Sequence, residues 1–321
     1  MNIVIIGGGI AGIAAAYCLS KDGHHVSVYE RLTKSKWGGL AYLLEREEVK
    51  IFKKIGLDAE LQAIANPIDR QCKLNTQGEL IDVAENSRAV CIPRNDLLKM
   101  FMSNLKKNII SYGKDFVAFK FDQHHHITHA CFSDNTSYSG DVFIAADGIN
   151  SPARRLLIGS PRFSPVRMRE IINVIPCADL KESGFFLHEA VKFMSDEGGL
   201  AVGVAPAKES LIWYIQFDTQ KYQIANGRAK TIEQFSRKVT QSWDERIKRL
   251  IEHTDFTKSY IVNNVYVKNI SQLHYHNLVF CGESVHKFLT LVNVGVGEAV
   301  GDALAVKHLL HKCKANSHAL P

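Results

Sequence analysis

The chain has little of what marks a secreted, membrane or metal-binding protein. Its seven cysteines in 321 residues are odd in number, scattered, and include no Cys-x-x-Cys pair. That argues against a disulfide framework and for reduced thiols in a cytoplasm. No apolar run is long enough to cross a bilayer. The stretch from Ile3 to Leu19 is uncharged, but no basic segment precedes it and glycines interrupt it, which rejects a signal peptide or a span. There is no internal repeat, no low-complexity tract and no block of one charge sign. The net charge of +6 is mild. Its most basic stretch, Arg237 to Arg249, is interleaved with Asp244 and Glu245 at helical spacing, as in a solvated helix face and unlike a nucleic-acid stripe. His124, His125, His126 and His129 have no carboxylate or cysteine at ligand spacing, and neighbours in an extended hairpin point to opposite faces, so no metal is expected there. His274 and His276 lack a third ligand nearby. Ser151 and Ser284 have no hydrolase context. What remains is an ordinary globular composition, 46% apolar and 22% charged, enough for one large or two modest domains.

The most informative stretch that is present opens the chain. Ile3 to Ile6 is an apolar run feeding into Gly7-Gly8-Gly9-Ile10-Ala11-Gly12. A helix of small residues follows, and a second apolar run, Val26 to Tyr29, ends on Glu30. This is the strand–turn–helix–strand unit that binds an ADP moiety. Gly7 permits the tight turn, Gly9 lets the backbone approach a pyrophosphate, and Gly12 lets helix and strand pack closely. The helix amino end offers N–H groups and a positive dipole to phosphates. Glu30 is placed to accept a hydrogen bond from a ribose hydroxyl.

Further along, Gly38-Gly39-Leu40-Ala41 is a loop into a short amphipathic helix, Glu48 to Leu57. Cys72–Leu74 and Leu80–Val83 flank a turn and read as a hairpin. Ile92-Pro93-Arg94 precedes a helix from Asn95 to Leu105, capped by Asn95 or Asp96. Three strands follow: Asp115–Phe121, His126–Phe132 and Ser137–Ile144. Alternating strands at Val191–Met194, Leu200–Val204 and Leu211–Phe217 lead to one amphipathic helix, Thr231 to Glu252. Asn277–Gly282 is a buried strand, and Asn293 to Leu310 a final helix. The segment Asp141 to Arg154 is a strand delivering Asp147 and Gly148 to the carboxyl end of a sheet, where such folds bind ligands. Asn277 to His286 likewise ends on Gly282-Glu283.

These three motifs, in this order, resemble the class A FAD-dependent monooxygenases, the para-hydroxybenzoate hydroxylase-like family, over almost the whole chain. The family's first fingerprint falls on Gly7, Gly9, Gly12 and Glu30, with Arg31 completing a Glu-Arg pair. Its Arg-x-x-Leu falls on Arg94 and Leu97, and that arginine contacts the flavin nucleotide in the family. Ile92-Pro93-Arg94-Asn95-Asp96-Leu97 is similar to the tetracycline-inactivating branch. The Asp-Gly motif falls on Asp147-Gly148, followed by Ser151 and Arg154, and the Gly-Asp motif on Gly282-Glu283, with His286 in the histidine place. Asp302-Ala303 fixes the register downstream. There Glu283 replaces an aspartate, Leu289-Thr290 a proline pair, Asn293 a glycine and Gly297 an asparagine, while Gly295 is kept.

The resemblance implies an α/β fold: a Rossmann-like, doubly wound FAD-binding domain (1–66, 92–160 and 271–321) and a second β-sheet substrate domain (67–91 and 161–270). It implies bound FAD held by Gly7, Gly9, Ile10, Ala11, Gly12, Glu30, Arg31, Arg94, Asp147, Gly148, Glu283, Gly295 and Val296. NADPH or NADH is a transient reductant without a Rossmann unit of its own. O2 and a small, aromatic or polycyclic substrate complete the reaction, with no nucleic acid and no membrane span. The amino end of the last helix, Val294–Gly297, is placed to stabilise the charge of a reduced flavin. Phe185, Phe186, Phe193, Trp213 and Tyr214 could roof the substrate site, though core packing explains them at least as well. Trp-x-Trp-x-Ile-Pro, the halogenase signature, is absent. No catalytic base is legible. A non-oxygenating reductase and a flavin-binding protein without turnover stay open as alternatives.

Overall fold

The computed structural model describes residues 1–33, 41–177, 189–268, 272–286 and 295–317, the side chains from 313 onward excepted. The chain opens with β1 (Asn2–Ile6), α1 (Ile10–Lys21) and β2 (His25–Glu30), then β3 (Ala41–Leu44), α2 (Arg46–Ile55) and α3 (Asp58–Ile64). A long hairpin, β4 (Asn66–Asn75) and β5 (Leu80–Pro93), leads into α4 (Arg94–Ser103) and β6 (Ile110–Tyr112). Next come β7 (Phe116–Phe121), β8 (Ile127–Phe132), β9 (Ser137–Ser139), β10 (Val142–Ala145) and α5 (Pro152–Leu157). Then follow β11 (Arg162–Phe163), β12 (Met168–Pro176), β13 (Glu189–Met194), β14 (Leu200–Ala207), β15 (Ser210–Asp218), α6 (Ala229–Thr240) and α7 (Glu245–Glu252). The chain closes with β16 (Tyr260–Asn264), β17 (Val267–Lys268), β18 (His274–Tyr275), β19 (Leu278–Phe280) and α8 (Gly295–Ser317). Among the described residues no helix is long and apolar enough to cross a membrane.

The first of two large sheets has the order β18-β19-β10-β1-β2-β6 and is parallel except for the β18–β19 pair. β1 lies at its centre, with β2 on one side and β10 on the other. Chain direction along the sheet reverses there, so a crevice opens at the carboxyl ends of β1 and β10. Strand periodicity sorts the core. Ile3 and Ile5 face α1, α4 and α8, whereas Val4 and Ile6 face the antiparallel layer β7-β8-β9 through Phe116, Phe119 and Phe132.

The second sheet has the order β16-β12-β15-β14-β13-β4-β5-β3. Val202, Val204, Trp213, Ile215 and Phe217 pack on one face against Ile232, Phe235, Ile247 and Leu250 of α6 and α7. β3 and the end of β5 belong to this sheet, so the chain passes between the two sheets just before α2 and again at Arg94.

Several expected elements take a different form. The single helix expected over Thr231–Glu252 is two, because Asp244 accepts the N–H of Arg246 at 2.8 Å and caps a new start; a side-chain acceptor outcompetes helix continuation there. The strand expected at Ser137–Ile144 is split at Gly140–Asp141. Asp141 donates its N–H to Asn2 O at 2.8 Å and its carboxylate accepts the N–H of Asn2 at 2.7 Å, which turns the chain into the parallel sheet. α4 starts at Arg94 with Pro93 in the cap position and no side-chain cap, not at Asn95; Asp96 instead sits in the first turn and pairs with Lys99 and Lys208. The strand expected at Asn277–Gly282 shortens to β19 and gives way to a 3-10 turn at Gly282–Ser284.

Candidate functional site

Three glycine-acid loops meet at the carboxyl ends of β1, β10 and β19. Gly7 has φ of +104°, and a Cβ there would lie 2.2 Å from Ala146 O and 3.0 Å from Asp147 Cα. A Cβ on Gly12 would lie 2.0 Å from Gly7 O, and one on Gly282 would lie 2.7 Å from Ala11 Cβ. The first and second motifs, and the first and third, are therefore in contact through positions where a side chain does not fit. Gly9 differs. It occupies the cap position of α1, and a Cβ there would meet nothing within 4 Å. Nothing among the described residues demands glycine at Gly9. No side chain caps α1 and no acid sits in its first turn, so the N–H groups of Ile10 and Ala11 and the positive helix end suit an anion.

Glu30 is buried, and its carboxylate accepts the N–H of Gly8 at 2.6 Å and of Leu32 at 2.8 Å. It shapes the glycine turn, and each oxygen retains capacity for a further donor such as a ribose hydroxyl. Arg31 is exposed. Asp147 accepts the N–H of Ala153 at 3.0 Å through Oδ2, while its buried Oδ1 has no partner among the described residues. Burial pushes the Asp147 carboxyl up, against hydrogen bonds that favour its charged form. Gly148 beside it has φ of +83° and open space at its Cβ.

Arg154 ties the second motif to the third. Its fully buried guanidinium donates to Ile149 O at 2.6 Å and to Ser284 O at 2.5 Å, and burial lowers its pKa. Ser151 caps α5 by accepting the N–H of Arg154 at 2.9 Å. Asp302 on α8 does similar work: one oxygen accepts the N–H of Gly282 at 2.6 Å and faces Nε2 of His286 at 2.9 Å. That hydrogen bond raises the pKa of His286.

Glu283 is exposed, and its charge is felt by Tyr42 of β3, whose hydroxyl also hydrogen-bonds Arg94. Burial raises the Tyr42 pKa and Arg94 opposes it. Gly295 and Val296 form the first turn of α8. Sequence reasoning missed Tyr42 and Glu48. Glu48 accepts the N–H of Gly297 at 2.8 Å, and a legible signal was its position three residues after Glu45, the spacing of a reciprocal helix cap. Gly38, Gly39, Leu40, Phe185, Phe186, Leu289, Thr290, Asn293 and Val294 lie outside the described residues.

The second sheet turns a polar strip away from α6 and α7. Lys192 donates to Gln216 Oε1 at 2.9 Å, and Gln216 donates to Glu170 Oε1 at 2.6 Å. Burial lowers the Lys192 pKa against the pull of Glu170. Tyr214 lies on this side too, opposite Gly203, where a Cβ would be 2.0 Å from the ring. Phe193 and Trp213 do not: both are fully buried in the core against the helices. Core packing, the stronger reading of these aromatics, thus holds for Phe193 and Trp213, while Tyr214 lies on the strip side. Alternation along a strand sends Trp213 and Tyr214 to opposite faces.

Comparison with known proteins follows the same lines. A family model described as an FAD binding domain matches residues 1–316. The FAD-dependent urate hydroxylase of Mycolicibacterium vanbaalenii is 24% identical over 322 residues, covering 96% of this chain and 79% of that protein. The 6-hydroxynicotinate 3-monooxygenase of Pseudomonas fluorescens is 21% identical, covering 99% and 85%. Klebsiella pneumoniae HpxO, solved with FAD and uric acid, shares the fold with a TM-score of 0.84 at 20% identity, over 96% of this chain and 79% of that one.

Proposed function

The chain belongs to the FAD-binding domain family of class A flavin monooxygenases, and from that premise we propose which of its residues hold the cofactor and what it hydroxylates. It is an FAD-dependent oxidoreductase. When bound, the flavin supplies electrons from NADPH or NADH to O2, so that one oxygen atom reaches the substrate. The observation that carries the assignment of residues is the contrast within the glycine turn: Gly7 and Gly12 are filled by backbone, and Gly9 faces open space. The turn thus fits a diphosphate at Gly9, Ile10, Ala11 and Gly12, with Glu30 toward the ribose. The buried Oδ1 of Asp147, without a partner among the described residues, fits a further donor on the ligand. Arg94, Gly148, Glu283, Gly295 and Val296 complete the proposed set, and Arg31 would reach it only from solvent.

The protein's own contribution is to position and exclude. Helix ends and main-chain N–H groups bind the negative parts of the cofactor. The substrate lies, in our reading, against the Lys192–Gln216–Glu170 strip and Tyr214. These polar groups suit a small heteroaromatic ring carrying carbonyl or hydroxyl groups, the chemistry that the urate and 6-hydroxynicotinate enzymes handle. We divide the chain, as its sequence suggests, into a cofactor domain (1–66, 92–160, 271–321) and a substrate domain (67–91, 161–270). The free described cysteines suit a reducing cytoplasm.

The test uses purified protein. FAD should be released by heat. A panel of hydroxylated heteroaromatic acids and purines should contain one that stimulates NAD(P)H oxidation, with label from 18O2 in the product. Stimulated oxidation without label would favour a reductase, and flavin that no nicotinamide reduces would favour a binding protein.

A further inference from the structure

One carboxylate joins the amino ends of two helices. Glu48, the third residue of α2, accepts through Oε2 the N–H of Glu45 at 3.1 Å and through Oε1 the N–H of Gly297 at 2.8 Å. Gly297 is the third residue of α8, so this N–H is one of those the helix leaves without an internal partner. Glu48 is 5% exposed. Its presence explains the glycine: a Cβ on Gly297 would lie 2.7 Å from Glu48 Cγ and 3.0 Å from Oε1. Where the family resemblance leads one to expect asparagine, the chain has no side chain at all, and an acid from another helix reaches in.

Among the described residues, the charged groups that act on Glu48 are Glu45 at the cap of its own helix and Glu298 on α8, both acidic. From α3, β3 and β5 the same core receives Leu61, Leu44, Val90 and Ile92, all apolar. Burial and the two acids push Glu48 up to about 7, against the pull of the two N–H groups. It therefore changes charge near neutrality.

We propose that Glu48 is a positioning residue that couples a proton to the charge of the flavin through the amino end of α8. Ionised, it takes up a helix N–H and opposes the positive helix end. Protonated, it leaves that end to the cofactor. This rests on the reading that Gly295 and Val296 adjoin the flavin. A cofactor that accepts hydride becomes more negative, and a nearby carboxylate resists that change until it takes one proton from solvent. Ionised Glu48 thus lowers the reduction potential, and its protonation restores it.

The experiment is an equilibrium dye titration of the FAD midpoint potential in wild type and Glu48→Gln, from about pH 5.5 to about pH 8.5, either side of the Glu48 titration. The two should coincide at the acid end and separate toward the alkaline end, with the variant more positive. Coincident or parallel lines throughout, or a more negative variant at high pH, overturn the proposal. Should Glu48→Gln not fold, Gly297→Ala, whose methyl displaces the carboxylate, should shift the alkaline potential in the same sense; an unchanged potential overturns it equally. FAD uptake by wild type, measured first by equilibrium dialysis, separates the two layers. No uptake removes the flavin assignment and this inference with it. Uptake with coincident lines removes the role of Glu48 alone.

Discussion

At the scale of the residue, the glycine turn lets variants separate folding from the proposed binding. Gly12→Ala places a methyl 2.0 Å from Gly7 O, a main-chain atom that cannot swing aside. It should cost at least about 1–3 kcal/mol and lower the melting temperature with or without FAD. Gly9→Val meets open space and exchanges one cap residue for a poorer one, costing about 1 kcal/mol. It should keep its circular dichroism and lose its flavin absorbance; a yellow Gly9→Val protein contradicts the diphosphate assignment. Asp302→Asn tests the third loop. His286 gains its raised pKa from Asp302, so the pair stabilises the fold while His286 is charged, below its unfolded value, and fades as pH rises through the folded one. The variant should lose more stability near pH 5.5 than near pH 8.5, and His286 should titrate lower by NMR. The geometry of these loops was legible because a tight strand-to-helix turn dictates glycine and a strand end carries an acid at fixed spacing. Tyr42 and Glu48 were not. Both act across contacts remote in sequence; the Glu45–Glu48 spacing flags a helix cap but not the reach of Glu48 to Gly297.

At the scale of the element, the α2–α8 junction makes a measurable demand. Glu48 has a folded pKa raised from 4.5 to about 7. For an acid the sign is fixed: the native state binds its proton more tightly, so stability falls as pH rises from the unfolded value to the folded one, then levels off. At about 1.36 kcal/mol per unit the loss is up to about 3 kcal/mol. Glu48→Gln should therefore be more stable than wild type at pH 8 and close to it below pH 5, by urea denaturation of the FAD-free protein. Periodicity found most elements, including the β4–β5 hairpin and β13 to β15. It failed at α6–α7 and at β9–β10, where a single aspartate, Asp244 or Asp141, uses its carboxylate to break a pattern that apolar spacing carries straight through.

At the scale of the whole molecule, the proposed cofactor residues come from six separated stretches, from Gly7 to Val296. A ligand held by all of them binds only the folded chain. FAD at about a hundred times its Kd should add about 2.7 kcal/mol and raise the melting temperature by several degrees. Gly9→Val should show no such increment. The arrangement of the parallel sheet followed from the three motifs, since each needs its own strand end. The eight-strand order of the other sheet did not, because β3 and β4–β5 join it across more than a hundred residues of intervening chain.

Arg154 carries a mechanical consequence. One guanidinium grips Ile149 O and Ser284 O, carbonyls of two loops that share no covalent neighbour. Whatever displaces one loop must drag the other or break a buried hydrogen bond. Lysine, with a single nitrogen, cannot span both anchor points. The crevice walls on that side thus yield as one rigid jaw, and a ligand touching either wall is weighed by both.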